Sequence, residues 1–542
     1  MTATRRRLGG WGFEGEIYPP SRQLLEWLTA RIGQAEHPAP PEAAPPPDLA
    51  AADLGDVGAD VSADPVDRLA HARGQGLVDV LRIRGGLVPA LPDGVCRPSD
   101  REEVATVLAR CSGRDIRVIP WGGGTSVTGG VNVLAGDNPV LTLDLERFAG
   151  MTDLDQRSGL ATFGPGTRGP AVEEALAERG LTLGHFPQSW ELATVGGWVA
   201  TRSSGQESLG YGRIEDMVAG LVLIGPDGRL SLPAKPASAA GPDLGRLVMG
   251  SEGRLGVITE ATLRVRPLPA ETTVAGALLP DLERGLDAVR EMVVYGVPLT
   301  LIRLSDPHET QVAMAVGLAA SRWAPLVDRY LGFRGIGNDG CLLLVGAAGE
   351  RDGIDGCLRY ARQVVRSHRG VSLGRRPGRH WLRDRFRHPY LRESLLDLGY
   401  ATDTLETATP WSRAADLRGT MGTAIVNALT DDDERVAVLC HVSHPYRDGA
   451  SLYFTFFYRC APSVEETITR WARIKRAAND ALVSAGATLS HHHGIGQWHA
   501  PWLAGEIGAE GVELIAAAAH RLDPTGIMNP HVLLEPEDRL EA

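Results

Sequence analysis

Three consecutive histidines, His491, His492 and His493, precede Gly494-Ile495-Gly496. Imidazoles are donors, acceptors and proton carriers near neutral pH, so the triplet suits acid–base chemistry. In an extended chain His491 and His493 point one way and His492 the other. Such a backbone does not readily bring all three onto one ion, and no carboxylate accompanies them closely in sequence, so no metal is expected. Tyr453 lies in the run LYFTFFY. As a strand, this run puts Tyr453, Thr455 and Phe457 on one face and Phe454, Phe456 and Tyr458 on the other. Tyr453 can then face a site while the opposite face packs; the alternative is a core aromatic. Arg303 sits in the apolar run LTLIRLSD. A buried guanidinium needs an anionic or hydrogen-bonding partner, and Asp306 is the structural candidate. Arg413 follows ATPW and fits a bidentate phosphate clamp, the alternative being a surface arginine. His441 and His444 are the remaining metal-ligand candidates, and metal binding is the minor reading there.

Three glycine clusters come next. The first is Pro120-Trp121-Gly122-Gly123-Gly124-Thr125-Ser126-Val127-Thr128-Gly129-Gly130. Consecutive glycines let backbone N–H groups converge on an anion, and the hydroxyls add donors, a nest that suits a pyrophosphate. No GK[ST] follows, so it is not a Walker A loop, and the run VLTLDL after it reads as a strand rather than a Rossmann helix. The second cluster, Gly164-Pro165-Gly166-Thr167-Arg168-Gly169, fits G-x-G-x-x-G. Residues 184–190 (GHFPQSW) offer no ribose-binding acid about 20 residues on, so a structural strand-to-helix turn is expected. The third cluster runs from Pro187 to Gly205 and is followed by YGRIED and then MGSEGRLGVIT.

The elements that position these residues follow from periodicity. SRQLLEWLTARIG, RPSDREEVATVLARC and PAVEEALAERG carry helical apolar spacing, the last expected to end at a C-cap glycine. IRVIP and VLTLDL read as strands, the second by alternation. MVAGLVLIGPDGRL reads as strand–turn–strand, and CLLLVGAAG, VAVLCHVSH and SLYFTFFY as strands of a later region. HWLRDRFRHPYLRESLLDLGY (380–400) mixes apolar and basic residues and suits either a membrane surface or an ordinary helix. Residues 38–64 are Pro/Ala/Asp-rich and read as a linker. The expected divisions are 1–90, an N-terminal helical segment with that linker; 91–270, a cofactor domain; 271–500, a second α+β domain; and 501–542, a returning C-terminal segment.

Length, 542 residues, allows two or more domains. Glycine supplies 65 of them, well above the roughly 7% of average usage. A net charge of -12 excludes general electrostatic attraction to nucleic acid. Only Lys235 and Lys475 among the 55 basic residues are lysines. Six scattered cysteines without a CxxC pair argue against a zinc ribbon or a disulfide scaffold. No apolar run approaches the roughly 18 residues of a membrane span, and MTATRRRLGGWGF lacks a secretory h-region. A cytoplasmic protein is expected. The ending Arg539-Leu540-Glu541-Ala542 is no peroxisomal address.

The motifs together resemble the vanillyl-alcohol oxidase / p-cresol methylhydroxylase superfamily of FAD proteins. PWGGGTSVTGG, TVGGWVATRSSG and GSEGRLGVITEA are similar to its FAD-contacting segments. Within it, GHFPQSWELATVGGWVATRSSG, YGRIEDMV, IRLSD, ETATPWSR, LSHHHGIG and LDPTGIMNP resemble the alkyldihydroxyacetonephosphate synthase family. The resemblance implies an α+β fold: a PCMH-type FAD-binding domain of two subdomains and an α+β cap (substrate) domain. It implies non-covalent FAD held by Pro120, Gly122, Gly123, Gly124, Thr125, Ser126 and Val127 at the pyrophosphate. Pro187, Ser189, Thr194, Gly196, Gly197, Thr201, Ser204, Gly205, Glu252, Gly253, Gly256, Val257 and Ile258 would line the rest. It implies catalytic roles for Tyr453, His491, His492, His493, Arg303 and Arg413. Tyr453 and His493 would transfer protons, Arg413 would take the phosphate and Arg303 the carbonyl or carboxylate end. The implied reaction exchanges the acyl group of acyl-dihydroxyacetone phosphate for a fatty alcohol, through an adduct at flavin N5, in ether-lipid synthesis. Peripheral membrane contact and a homodimer go with it. The rival within the superfamily is an FAD-dependent D-2-hydroxyacid dehydrogenase of the D-lactate type, or an oxidoreductase with another substrate. Those proteins commonly carry a GHxGDGNLH-like segment; here SHPYRDGASLY puts Tyr453 in place of the second histidine, which favours the synthase.

Overall fold

The computed structural model describes residues 5–58, 60–136, 138–318 and 324–534; the opening Met1–Thr4 and the closing Arg539-Leu540-Glu541-Ala542 lie outside them. Helices and strands form three main sheets. The first has four strands in the order Val61–Ser62, Gly94–Cys96, Val140–Asp144, Arg117–Trp121. Its last three are parallel, with Gly94 opposite Leu141 and Arg117 opposite Val140. VLTLD therefore does not alternate in burial as its sequence suggests: four of its five residues are buried, as a parallel strand covered on both faces requires. The helix Arg101–Ser112 covers one face through Val104, Val107, Leu108 and Cys111. Asp100 caps it by accepting from the Glu103 N–H. The C-terminal segment returns here: Val118 N–H donates to the Ile527 carbonyl at 2.9 Å, and Asn529 N–H to the Val118 carbonyl at 2.8 Å.

The second sheet is antiparallel, in the order Met151–Asp155, Leu160–Phe163, Val257–Arg264, Val218–Gly225, Gly228–Leu232. The last pair is the expected strand–turn–strand. Gly164-Pro165-Gly166 forms a structural turn. A Cβ on Gly164 would lie 2.6 Å from the Phe148 carbonyl oxygen, and one on Gly166 would collide with that of Leu145. The helix that follows, Gly169–Ala177, stops at Glu178 in ordinary helical geometry; the glycine expected as its cap, Gly180, comes two residues later at φ 69°.

The third sheet has seven antiparallel strands: Val371–Gly374, Glu271–Leu279, Cys341–Gly349, Leu301–Ser305, Ala437–Pro445, Gly449–Arg459, Tyr400–Pro410. The helices Leu282–Val294, Arg351–Ser367, Ala414–Asn427 and Val464–Ala485 cover one face and form the largest core with it. Val464–Ala485 shows why. Ser463 caps it, Glu465 and Glu466 complement its N-terminus, and Ile468, Trp471, Ile474, Ala478 and Leu482 form a buried stripe at helical spacing. Gly486, left-handed at φ 60°, ends it and turns the chain toward the triple histidine.

The Pro/Ala-rich stretch has no regular structure over most of its length, yet it is not a free tether. Ala39, Leu54 and Val57 are buried, and Ala39 N–H donates to the Leu396 carbonyl at 3.0 Å. The N-terminal GGWGFEG motif packs Trp11 against Leu192 and Tyr390. Residues 376–396 form two helices, Arg376–Asp384 and His388–Leu396, with Phe386 stacked on Trp190 at 5.2 Å. Among the described residues no helix is long and apolar enough to cross a membrane.

Candidate functional site

Strand register builds the site. Glu406, Tyr453 and His441 are direct cross-strand partners on three neighbouring strands, so they stand in a row on the face away from the helical core. The opposite residues, Phe454, Phe456 and Tyr458, lie in that core, as the alternation of LYFTFFY predicts. The His441 ring stacks on Tyr453 with centroids 5.0 Å apart and an interplanar angle of 21°.

The triple histidine approaches the row from the loop after Val464–Ala485. It is not extended. The chain bends at 491–493 so that all three residues gather around Glu406. The Glu406 Oε1 atom accepts from the His492 N–H at 2.5 Å and the His493 N–H at 2.7 Å. His492 Nδ1 contacts its other oxygen, and His493 Nδ1 lies 3.6 Å from Oε1. The companion carboxylate that the sequence near the triplet lacks is thus supplied from 85 residues upstream of His491, on a different strand. Tyr453 lies 6.3 Å from His492 and 5.8 Å from His493, ring to ring. His491 turns outward: Nδ1 is 3.2 Å from His492 Nδ1, Nε2 is 2.5 Å from the Tyr446 hydroxyl, and the ring stacks on His444. Ligand-capable atoms of His444, His491 and His492 lie within 4.8 Å of one another, as do those of Glu406, His492 and His493.

Burial sets the electrostatics. Desolvation disfavours the imidazolium and, with neighbouring charges, holds His492 down to about 3, His493 to about 4, and His491 and His444 well below the ordinary value. The site is therefore lined with neutral imidazoles at pH 7. Burial likewise raises the Tyr453 phenol above its ordinary range, so it stays protonated.

Arg303 reaches the same row, but not through Asp306. Its Nη2 donates to Glu309 at 2.6 Å and its Nη1 lies 2.9 Å from His441 Nε2. Asp306 is taken by Arg418, at 2.5 Å. Burial opposes the charge on Glu309, yet His441 and Arg303 outweigh it and hold that carboxyl below its usual range. Arg413 stands apart. It is exposed and donates to the carbonyl of Ala485, the last residue of the long helix, at 3.2 Å. Among the described residues no hydrogen bond or ion pair joins it to the histidines.

The three glycine-bearing segments converge. A Cβ on Gly122 would strike the Thr194 hydroxyl, one on Gly123 the Leu192 carbonyl, and one on Gly253 would lie 3.0 Å from Pro120. Gly196 packs on Pro165 and Gly205 on Phe186, each with less than 3 Å for a Cβ, and Gly256 on the Ile224 carbonyl at φ 140°. Ser189 closes the turn after Pro187, accepting through its carbonyl from Leu192 and Ala193. Thr201 donates to the Gly197 carbonyl, and Val257 and Ile258 are buried at the start of their strand. Among the described residues the N–H groups of Gly123, Gly124 and Thr125 have no protein acceptor, although both glycines are buried. Trp198 Nε1, His185 Nδ1 and Ser251 Oγ, in or beside the other segments, are also buried without partners. A buried donor left unpaired costs about 1–3 kcal/mol, so this set fits a bound dinucleotide with an anionic centre.

Cofactor cradle and histidine loop are stitched together. Glu252, at φ 49°, accepts from the Ile495 and Gly496 N–H groups at 2.7 and 2.9 Å. Its burial raises the carboxyl to about 7. His444 Nδ1 lies 2.8 Å from the Ser208 hydroxyl and 3.3 Å from that of Ser204. Glu406, Tyr446 and Glu309 are the site residues that sequence reasoning did not raise; His441 and His444, raised there only as metal-ligand candidates, join the site as ring neighbours of Tyr453 and His491. The signal for Glu406 was its place in the quoted ETATPWSR segment; strand register supplies the rest.

Comparison with known proteins agrees. The description "FAD binding domain" matches residues 92–231, and "FAD linked oxidases, C-terminal domain" matches residues 268–533. The alkyldihydroxyacetonephosphate synthase of Dictyostelium discoideum is 30% identical over 481 residues, which cover 87% of this chain and 78% of that protein. A solved alkyldihydroxyacetonephosphate synthase superposes with a TM-score of 0.82 at 25% identity, covering 97% and 98% of the two chains. p-Cresol methylhydroxylase with substrate bound shares the fold, with a TM-score of 0.64 at 14% identity over 88% and 93% of the two chains.

Proposed function

The chain belongs to the alkyldihydroxyacetonephosphate synthase family of FAD-binding proteins, and from that premise we propose that it exchanges the acyl group of acyl-dihydroxyacetone phosphate for a fatty alcohol. The observation that carries this reading is the ring of neutral imidazoles around Glu406 with the protonated Tyr453 among them. Such a set can take a proton from a carbon and return one. FAD, when bound, supplies an electron-poor ring that accepts an electron pair from the substrate and gives it back, so the exchange has no net redox change.

The chain's residues divide the remaining work. Tyr453 and His493 move the proton at the carbon beside the ketone. Glu406 fixes the histidine loop through the His492 and His493 N–H groups. Arg303, locked by Glu309, presents its guanidinium toward the carbonyl or carboxylate end. Burial excludes water, which strengthens each of these interactions. Arg413 is not assigned the phosphate, because it is exposed and bonded elsewhere. The substrates are small and lipid-like; peripheral contact with a membrane surface and a homodimer follow from the family resemblance.

The test offers purified holoenzyme labelled acyl-dihydroxyacetone phosphate. Fatty acid is released only when fatty alcohol is present, and D-2-hydroxy acids given anaerobically leave the oxidised flavin band intact. Bleaching of that band, without acid release, supports the dehydrogenase instead.

A further inference from the structure

The exchange carries a proton balance. The acyl group leaves as a carboxylate and the alcohol enters as an ether, so each turnover sheds the alcohol's hydroxyl proton. That proton appears among buried, neutral imidazoles and must reach water.

His491 is joined at both ring nitrogens, to His492 through Nδ1 at 3.2 Å and to the Tyr446 hydroxyl through Nε2 at 2.5 Å. It touches Tyr453 in no ring contact, whereas His492 and His493 do. Its position is set by Arg213, whose Nη2 donates to the His491 carbonyl at 2.7 Å, and by the stacked His444. Tyr446 is half-buried. Its N–H donates to the Gly449 carbonyl at 2.7 Å and its carbonyl accepts from Trp411 Nε1 at 3.0 Å. It also lines a cleft of about 860 Å³ between the two domains, together with Tyr211, Arg213, Leu268, Val297 and the exposed Arg447. Tyr446 therefore meets the histidine chain through its hydroxyl and is itself part of the wall of an open cleft.

We propose that Tyr446 is the proton exit of this site, passing to water in the cleft the proton that His491 receives from His492. The proposal rests on the exchange reading above, since that reaction leaves a proton to export. Each transfer balances. His491 gains a proton at Nδ1 and gives up the one on Nε2; the Tyr446 oxygen takes that proton as its own passes to water; the relay resets as the imidazole turns over and the hydroxyl rotates. Burial keeps the Tyr446 phenol protonated, up to about 12, which a relay needs at rest.

The test compares wild-type and Tyr446→Phe holoenzyme, matched for flavin content and thermal midpoint, at saturating acyl-dihydroxyacetone phosphate and fatty alcohol. The expected result is a kcat lower by about tenfold, a small share of what proton transfer contributes. KM is unchanged, the solvent deuterium isotope effect on kcat is larger, and free imidazole at millimolar concentration restores the rate. Tyr446→His, which keeps a proton-carrying tip, recovers most of the loss. A Tyr446→Phe enzyme with wild-type kcat and isotope effect overturns the relay. So does a loss that neither imidazole nor Tyr446→His repairs, because that marks a structural role. If Tyr446→Phe does not fold, Tyr446→Leu decides in the same assay: a wild-type kcat and isotope effect overturn the relay, and a lowered kcat that free imidazole restores supports it. Wild-type holoenzyme that exchanges nothing overturns the functional reading itself and removes the proton to be carried.

Discussion

Replacing Glu406 by glutamine removes one charge and almost no volume. Glu406 is 3% exposed and its carboxylate receives two backbone N–H groups, from His492 at 2.5 Å and His493 at 2.7 Å. Hydrogen bonds to a charged acceptor contribute about 1.5–3 kcal/mol each, against about 0.5–1.5 for a neutral one. The amide keeps one carbonyl for the two donors but turns an NH₂ toward His492 Nδ1, where a carboxylate oxygen stood. Two weakened bonds put the loss at about 2 kcal/mol. For a domain of this size that lowers the thermal midpoint by about 4–8 °C. The larger effect is on rate. Thr488 ties the start of the histidine loop to the same strand through Thr407 and Ala408, whereas the two N–H bonds fix 492–493 themselves, and a misplacement of about 1 Å there costs about 10²-fold. The assay is labelled fatty-acid release by holoenzyme with flavin content verified, alongside differential scanning calorimetry. A Glu406→Gln enzyme with wild-type kcat and wild-type midpoint refutes the claim that this carboxylate assembles the site.

Three further outcomes follow from the same geometry. Gly123→Ala puts a Cβ into the Leu192 carbonyl, so the purified protein carries less flavin, read from the ratio of flavin to protein absorbance. Arg413→Ala keeps kcat and KM within about twofold, the ordinary consequence of an exposed substitution, because among the described residues the guanidinium is bonded to the Ala485 carbonyl; a large rise in KM for the phosphate ester would restore the clamp. His492 and His493 titrate lower in the folded protein, about 3 and 4, than the roughly 6.5 of the unfolded chain. The folded state therefore binds fewer protons, their contribution is complete above about pH 6.5, and it is lost as pH falls toward 4. Urea midpoints measured from pH 7 to pH 4 decline, and the decline is shallower in a His492→Asn/His493→Asn variant.

The parts of this molecule that were legible in the sequence are those set by local rules. Alternation in LYFTFFY assigned the faces of its strand, and the glycine clusters marked close backbone approach. G-x-G-x-x-G without a ribose acid was read as a turn, which is what Gly164 and Gly166 form. What stayed hidden depends on register between distant strands. Glu406, Tyr453 and His441 become neighbours only through pairing across three strands, and no local spacing records that. The same blindness assigned Arg303 to the nearest acid, Asp306, when Glu309, one helical turn further on, and His441, across the sheet, hold it. Extended geometry was the wrong assumption for 491–493, because the Glu406 carboxylate pulls two successive N–H groups onto one oxygen. Buried strands also conceal their burial: VLTLDL looks alternating but is covered on both faces.

The step that defines the exchange is replacement of the whole acyloxy group at carbon by the alcohol, rather than transfer of the acyl group to it. Fatty alcohol carrying ¹⁸O in its hydroxyl separates the two by mass spectrometry of the products. The expected result is the label in an ether of dihydroxyacetone phosphate, with unlabelled fatty acid released. Label found in a fatty ester, or no ether product with the flavin reduced instead, contradicts it.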